Sequence, residues 1–178
     1  MPKLSVILLV MTLVVGTYAS CPSVTYMQNF DANRFTGVWY EIQAQPNSLN
    51  PVKTCNKSVY NLMSSGFSVT TTGLMYGGIP TQSSVTLTFT ANPAKMITSR
   101  VMGVRPPYEV LDTDYNTYAC THSCIHKVFT YDYVFIFSRG RTLNQAHIDH
   151  CRSLFAQYQS SSQNLHRLVN TRQEGCPN

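Results

Sequence analysis

Charge is scarce in this chain. Asp, Glu, Lys and Arg together make up 12% of its 178 residues, about half the usual share of a soluble domain. The 13 Lys and Arg are dispersed with no run of five or more, so the formal charge of +5 builds no nucleic-acid surface. Acidic residues number only 8, and three of them, Asp112, Asp114 and Asp132, flank turns. No G-x-S-x-G elbow, P-loop or H-E-x-x-H is present, which points away from an enzyme. Neither a C-x-x-C pair nor a C-x-x-C…H-x-x-x-H spacing occurs, so no zinc site is expected. The one long apolar run, Leu4 to Val15, falls short of the roughly 20 residues that span a bilayer. No transmembrane segment is expected.

What is present is apolar and aromatic. Hydrophobic residues reach 43% and aromatic ones 11%, enough for the core of one ordinary domain. Lys3, the Leu4–Val15 run and the small residues Gly16, Thr17, Ala19 and Ser20 have the layout of a secretory signal peptide. Residues 1–19 are therefore read as a leader, 20–178 as the mature domain, and the protein as secreted and extracellular. Lipidation at Cys21 is the rival reading of the same boundary, and Tyr18 and Ser20 fit poorly as its flanks. Six cysteines remain after cleavage: Cys21, Cys55, Cys120, Cys124, Cys151 and Cys176. An even number in an exported chain predicts three disulfides, with 15 connectivities open. Asn56-Lys57-Ser58 is a glycosylation sequon beside Cys55.

From Thr36 to Tyr133 short β-branched and aromatic segments alternate with turn signals such as Gly77-Gly78, Asn92-Pro93 and Pro106-Pro107. Strands are predicted near 37–45, 56–63, 67–75, 82–90, 96–103, 108–113, 117–125 and 131–138. Eight closely spaced strands imply an all-β sandwich or an up-and-down barrel. A single helix follows. Thr142 and Gln145 form a capping box, and Ile148, Cys151, Phe155 and Tyr158 make one narrow apolar stripe. A helix with one such stripe lies outside the sheet.

Three motifs resemble the signature blocks of the lipocalins. Asn29 to Ile42 contains their G-x-W kernel at Gly37 and Trp39. Thr113-Asp114-Tyr115 resembles their second block, and Phe135-Ile136-Phe137-Ser138-Arg139 the third. The order and intervals also match. The resemblance implies an eight-stranded antiparallel up-and-down barrel with one C-terminal helix packed outside. It also implies that Arg139 stacks over Trp39 at the closed end, a contact of about 0.5–2 kcal/mol. Gly37, Trp39, Thr113, Asp114, Tyr115 and Arg139 are thus read as structural. The cysteine spacing around Cys120, Cys124 and Cys151 is similar to that of the crustacyanins, the arthropod carotenoid-binding lipocalins; apolipoprotein D and the insect bilin-binding proteins are relatives. That similarity implies the bridges Cys21–Cys124, Cys55–Cys176 and Cys120–Cys151.

If Cys120 reaches the external helix, period-2 alternation turns Tyr118, His122 and Cys124 outward and Thr117, Ala119, Thr121 and Ser123 inward. An inward Arg139 carries Phe137, Phe135, Tyr133 and Tyr131 with it. Phe67, Val69, Thr71 and Met75 line a third strand, and Tyr60 and Tyr108 complete the candidate ligand set. With His122 outside, His126 at a strand end, and His147 and His150 on the helix surface, no inward haem ligand is expected. The resemblance implies a carrier of one hydrophobic small molecule. Its expected cargo is a carotenoid that needs no further cofactor and is bound by one barrel or by a homo- or heterodimer. The alternatives are a bilin, retinoid, sterol or fatty acid, or a secreted protein-interaction or inhibitor module working through the loops Gln43–Lys53 and Thr72–Thr81.

Overall fold

Each strand pairs antiparallel with the next along the chain, and the first pairs with both the second and the eighth, which closes the sheet into a barrel. The computed structural model describes residues 21–46, 50–99, 101, 103–126, 130–158 and 168–177. The expected leader and the polar patch at 159–163 lie outside these residues. The strands are β1 (Gly37–Ala44), β2 (Thr54–Met63), β3 (Gly66–Leu74), β4 (Pro80–Phe89), β5 (Lys95–Thr98), β6 (Pro107–Thr113), β7 (Tyr118–His126) and β8 (Thr130–Ser138). Closure removes the open edges that an eight-stranded sheet would otherwise expose. The fifth strand is shorter than its sequence suggests. After Thr98 the chain turns through a Val101–Val104 bridge, with Gly103 at a φ of 80°, before β6 begins.

Two further elements carry no strong sequence signal. Helix α1 (Ala32–Phe35) precedes β1, and Asp31 caps it by accepting from the backbone N–H groups of Asn33 and Arg34. The two-residue β9 (Val169–Asn170) pairs with Gln43 and Ala44, where β1 has parted from β2. The tail then fills the gap between those strands. Thr171 N donates to Ile42 O at 2.9 Å, and Cys55 N donates to Arg172 O at 2.8 Å. Gln173 Nε2 reaches the carbonyls of both Glu41 and Asn56 at 2.9 Å. Cys55 adopts a positive φ of 58° beside a register shift in β2, and its bridge to Cys176 fastens the tail there.

Helix α2 (Gln145–Tyr158) lies on the outer wall. Its Ile148, Cys151 and Phe155 pack against Leu111, Val134 and Ile136, and Cys151 is bonded to Cys120. The cap differs from the expected one. Asn144 accepts from Ala146 N at 2.9 Å, so the helix begins after Asn144 and not at Thr142, whose carbonyl instead receives the Ser138 hydroxyl. The third bridge joins Cys21 to Cys124, and all six cysteines are paired. No helix among the described residues is long and apolar enough to cross a membrane.

Candidate functional site

The closed end of the barrel is built on Trp39, which is fully buried and donates its indole N–H to Phe35 O at 2.9 Å. The Arg139 guanidinium lies 3.7 Å from the Trp39 ring centroid. Its three nitrogens donate to the carbonyls of Tyr115, Val38 and Arg34 at 2.8–2.9 Å. Gly37 sits beneath it at a φ of 93°, where a Cβ would be strained. One cation therefore ties α1, β1 and the β6–β7 turn together. In that turn Asp114 Oδ1 accepts from the N–H groups of Asn116, Thr117 and Tyr118. Burial pushes the Asp114 carboxyl up, but these donors outweigh it and hold the group below its ordinary range. The indole, Phe30, Phe35, Phe67 and Tyr115 form a ring-on-ring plug.

Above the plug lies a cavity of about 280 Å³. Tyr60, Val69, Thr71, Tyr108, Ser123, Tyr133 and Phe135 line it, joined by Val85, Leu87, Ile125 and Phe137. The other candidates lie elsewhere. Phe67 is fully buried within the plug, wedged among Phe35, Tyr60 and Phe89. Thr121 is also fully buried but does not border the cavity. Met75 falls just past β3 and borders an adjoining recess at the mouth, which shares Glu41, Asn50 and Phe135 with the cavity. Tyr131 is 46% exposed, with its ring stacked 6.4 Å from that of Tyr133. Alternation assigned these residues a side of the sheet. It carried no information about height along the barrel axis, and height separates plug, cavity and rim.

The sequence reading missed the polar side of the cavity. Glu41, Asn56 and Ser58 all border it. The signal was available, since Glu41 lies two residues beyond inward-facing Trp39, and Asn56 and Ser58 lie four and two before Tyr60. Asn56 Nδ2 donates to Glu41 Oε2 at 3.0 Å, and the Thr171 hydroxyl donates to Glu41 Oε1 at 2.6 Å. Burial lifts the Glu41 carboxyl above its ordinary range, and the two hydrogen bonds only partly offset this. No salt bridge reaches Glu41 among the described residues. The hydroxyls of Tyr60 and Tyr108 meet at 2.7 Å. Burial pushes both phenols up, Tyr108 to about 12. Ser58 and Thr71 pair at 2.8 Å, and Ser123 donates to Pro107 O at 2.8 Å. Asn56 Oδ1 is buried and unpartnered.

Asn56 is only 2% exposed and points into the lumen, so its sequon offers no room for an oligosaccharide in the folded barrel. His122 does face away from the lumen, yet it is buried. Its Nδ1 contacts Glu109 at 2.8 Å and its Nε2 contacts Asp132 at 2.5 Å. Lys95 joins Glu109 at 3.0 Å, which completes a charge ladder across β5, β6, β7 and β8. Both His122 nitrogens are thereby occupied and unavailable to a haem iron. Among the described residues no group of His, Cys, Asp or Glu has the arrangement of a metal site.

Comparison with known proteins agrees with this geometry. Apolipoprotein D of Macaca fascicularis is 31% identical over 167 residues, covering 88% of this chain and 84% of that protein. The crustacyanin-A1 subunit of Homarus gammarus is 29% identical over 133 residues, 72% of each chain. Among solved structures, lobster apocrustacyanin A1 superposes with a TM-score of 0.71 at 25% identity, covering 88% of this chain and 93% of that one. Insecticyanin from Manduca sexta shares the fold, with a TM-score of 0.70 at 20% identity over 86% of each chain. The profile of the lipocalin / cytosolic fatty-acid binding protein family matches residues 36–172, and with the plugged barrel, the external helix and the stacked Arg139 it places this chain in that family.

Proposed function

We propose that this protein is a secreted carrier that holds one small hydrophobic molecule in the barrel, and that the cargo is a carotenoid. The observation that carries the reading is the cavity itself, closed below by the Trp39 plug and walled by Val69, Val85, Leu87, Phe135 and Phe137. Burying an apolar ligand there is worth roughly 25 cal/mol per Å² before the costs of binding. The volume of about 280 Å³ sits at the small end of ligand pockets, which start near 300 Å³. One end ring of a carotenoid fits such a space, and the polyene leaves through the mouth, where a second subunit of the same or a related chain covers it. The similarity to crustacyanins supports this cargo and this pairing. Three disulfides suit an oxidising, extracellular setting, and a leader at 1–19 supplies the route.

Purification from the native tissue, followed by a visible spectrum and mass analysis of the bound material, tests the proposal. A co-purifying carotenoid with a shifted absorption band is the expected result, and protein that carries no small molecule and takes none up contradicts it. A second reading, a secreted interaction module, is favoured by Met75, Tyr76 and Ile79, which stand 39%, 78% and 57% exposed at the mouth. Under it the same protein binds no carotenoid, biliverdin, retinoid or fatty acid, and capture depends on those three side chains.

A further inference from the structure

The hydroxyls of the cavity are largely satisfied by one another or by backbone, as the Tyr60–Tyr108, Ser58–Thr71 and Ser123–Pro107 contacts show. Two acceptors stand apart. Glu41 is a buried carboxylate with neutral hydrogen-bond donors and no salt bridge among the described residues. Asn56, held against it at 3.0 Å, presents a buried carbonyl oxygen without a partner. A buried charge without a counter-charge and a buried acceptor without a donor each cost free energy. Both costs fall away when a donor enters between them. Tyr133, Phe135 and Phe137 line the same cavity, and aromatic rings also attract a cation.

We propose that Glu41 and Asn56 select cargo whose inner end is a hydrogen-bond donor. A protonated primary amine is the strongest occupant, a hydroxyl the next, and a carboxylate is excluded. An ammonium supplies three N–H donors and the missing positive charge. A hydroxyl supplies one donor, and a carboxylate supplies none and repels Glu41. The proposal rests on the carrier reading and narrows its cargo: a hydroxylated ring enters headfirst, whereas a fatty acid must keep its headgroup at the mouth.

Calorimetric titration of the disulfide-intact protein with 2-phenylethylamine, 2-phenylethanol and phenylacetate is the test, since each probe suits the small cavity. The amine should bind at least about tenfold tighter than phenylacetate, with the alcohol between them. Glu41→Gln should shrink the amine–acid gap by about tenfold. Equal binding of amine and acid to the unaltered protein, or an unchanged gap in the variant, overturns the proposal.

Should the variant fail to fold, the unaltered protein still decides. The titratable groups that share the cavity with Glu41 are the Tyr60 and Tyr108 phenols, both pushed up by burial, and Tyr133; Glu41 also borders the recess at the mouth, which Lys53 and Arg172 line with it. Amine affinity should therefore rise with pH as Glu41, its carboxyl lifted by burial, ionises, while alcohol affinity stays flat. A flat amine profile overturns the proposal. Binding of retinol or astaxanthin without amine preference defeats this proposal alone. Failure of every one of these ligands to bind defeats the carrier reading with it.

Discussion

The hydroxyls of Tyr60 and Tyr108 meet at 2.7 Å across the barrel, linking β2 to β6 where the plug gives way to the cavity. Tyr60 is 3% exposed and Tyr108 is 8% exposed, so neither phenol has water to fall back on. Changing either one to Phe leaves the other hydroxyl buried and single, at a cost of about 1–3 kcal/mol. The double Tyr60→Phe/Tyr108→Phe variant should recover most of that loss. Urea unfolding of the four proteins gives the coupling directly, and additive losses would show that the bond contributes little.

Arg139 is not replaceable by lysine. It makes three backbone hydrogen bonds and one ring contact from a single planar group, a geometry that an ammonium cannot reproduce. Arg139→Lys should destabilise the barrel by about 2–3 kcal/mol and increase the solvent accessibility of Trp39. Equilibrium unfolding and acrylamide quenching of tryptophan fluorescence measure the two effects. Unchanged stability would mean that the plug holds without its lid.

The ladder on the outer wall makes stability depend on pH. Burial opposes charging of His122, but its contacts with Asp132 and Glu109 prevail and lift it from 6.5 to about 9. Burial also opposes the Glu109 charge, yet His122 and Lys95 hold that carboxyl below 4.5. The His122 contribution is therefore complete below pH 6.5 and lost as pH rises through about 9. That of Glu109 is complete above pH 4.5 and lost on acidification through its lowered value. Melting temperature should fall between pH 6.5 and 9, and His122→Gln should flatten that decline while lowering the plateau. A variant with the same slope would place the titration elsewhere.

Asn56 should remain unglycosylated even when the chain is made in a eukaryotic secretory pathway. Its amide is engaged with Glu41 inside the lumen, and its strand is pinned by the neighbouring Cys55–Cys176 bridge. Intact mass before and after glycosidase treatment checks this. A mass loss at Asn56 would show that modification precedes barrel closure.

Most of the barrel was legible because its strands obey a period of two and are divided by Gly, Pro and Asn turns. The bridge pattern came from a likeness in cysteine spacing, and all three bonds form as that likeness implied. What escaped was set by tertiary context. β9 is only Val169 and Asn170, and it exists because β1 and β2 part and leave backbone groups to satisfy. Asn144 caps the helix because Thr142 is held back at Ser138. Phe67 and Val69 share a strand and a side, yet one fills the plug and the other lines the cavity. Glu41 was legible as well, since its alternation from Trp39 marks it as inward.

The most direct measurement is a titration of the purified protein with astaxanthin, following both the visible band and the fluorescence of Trp39, the only tryptophan. A lumenal cargo predicts saturable quenching and a shifted band in the unaltered protein, both abolished when Val69→Phe and Val85→Phe fill the cavity that these side chains line. Quenching and a band shift that survive in the filled barrel, or that never appear in the unaltered one, would contradict a cargo held inside the barrel.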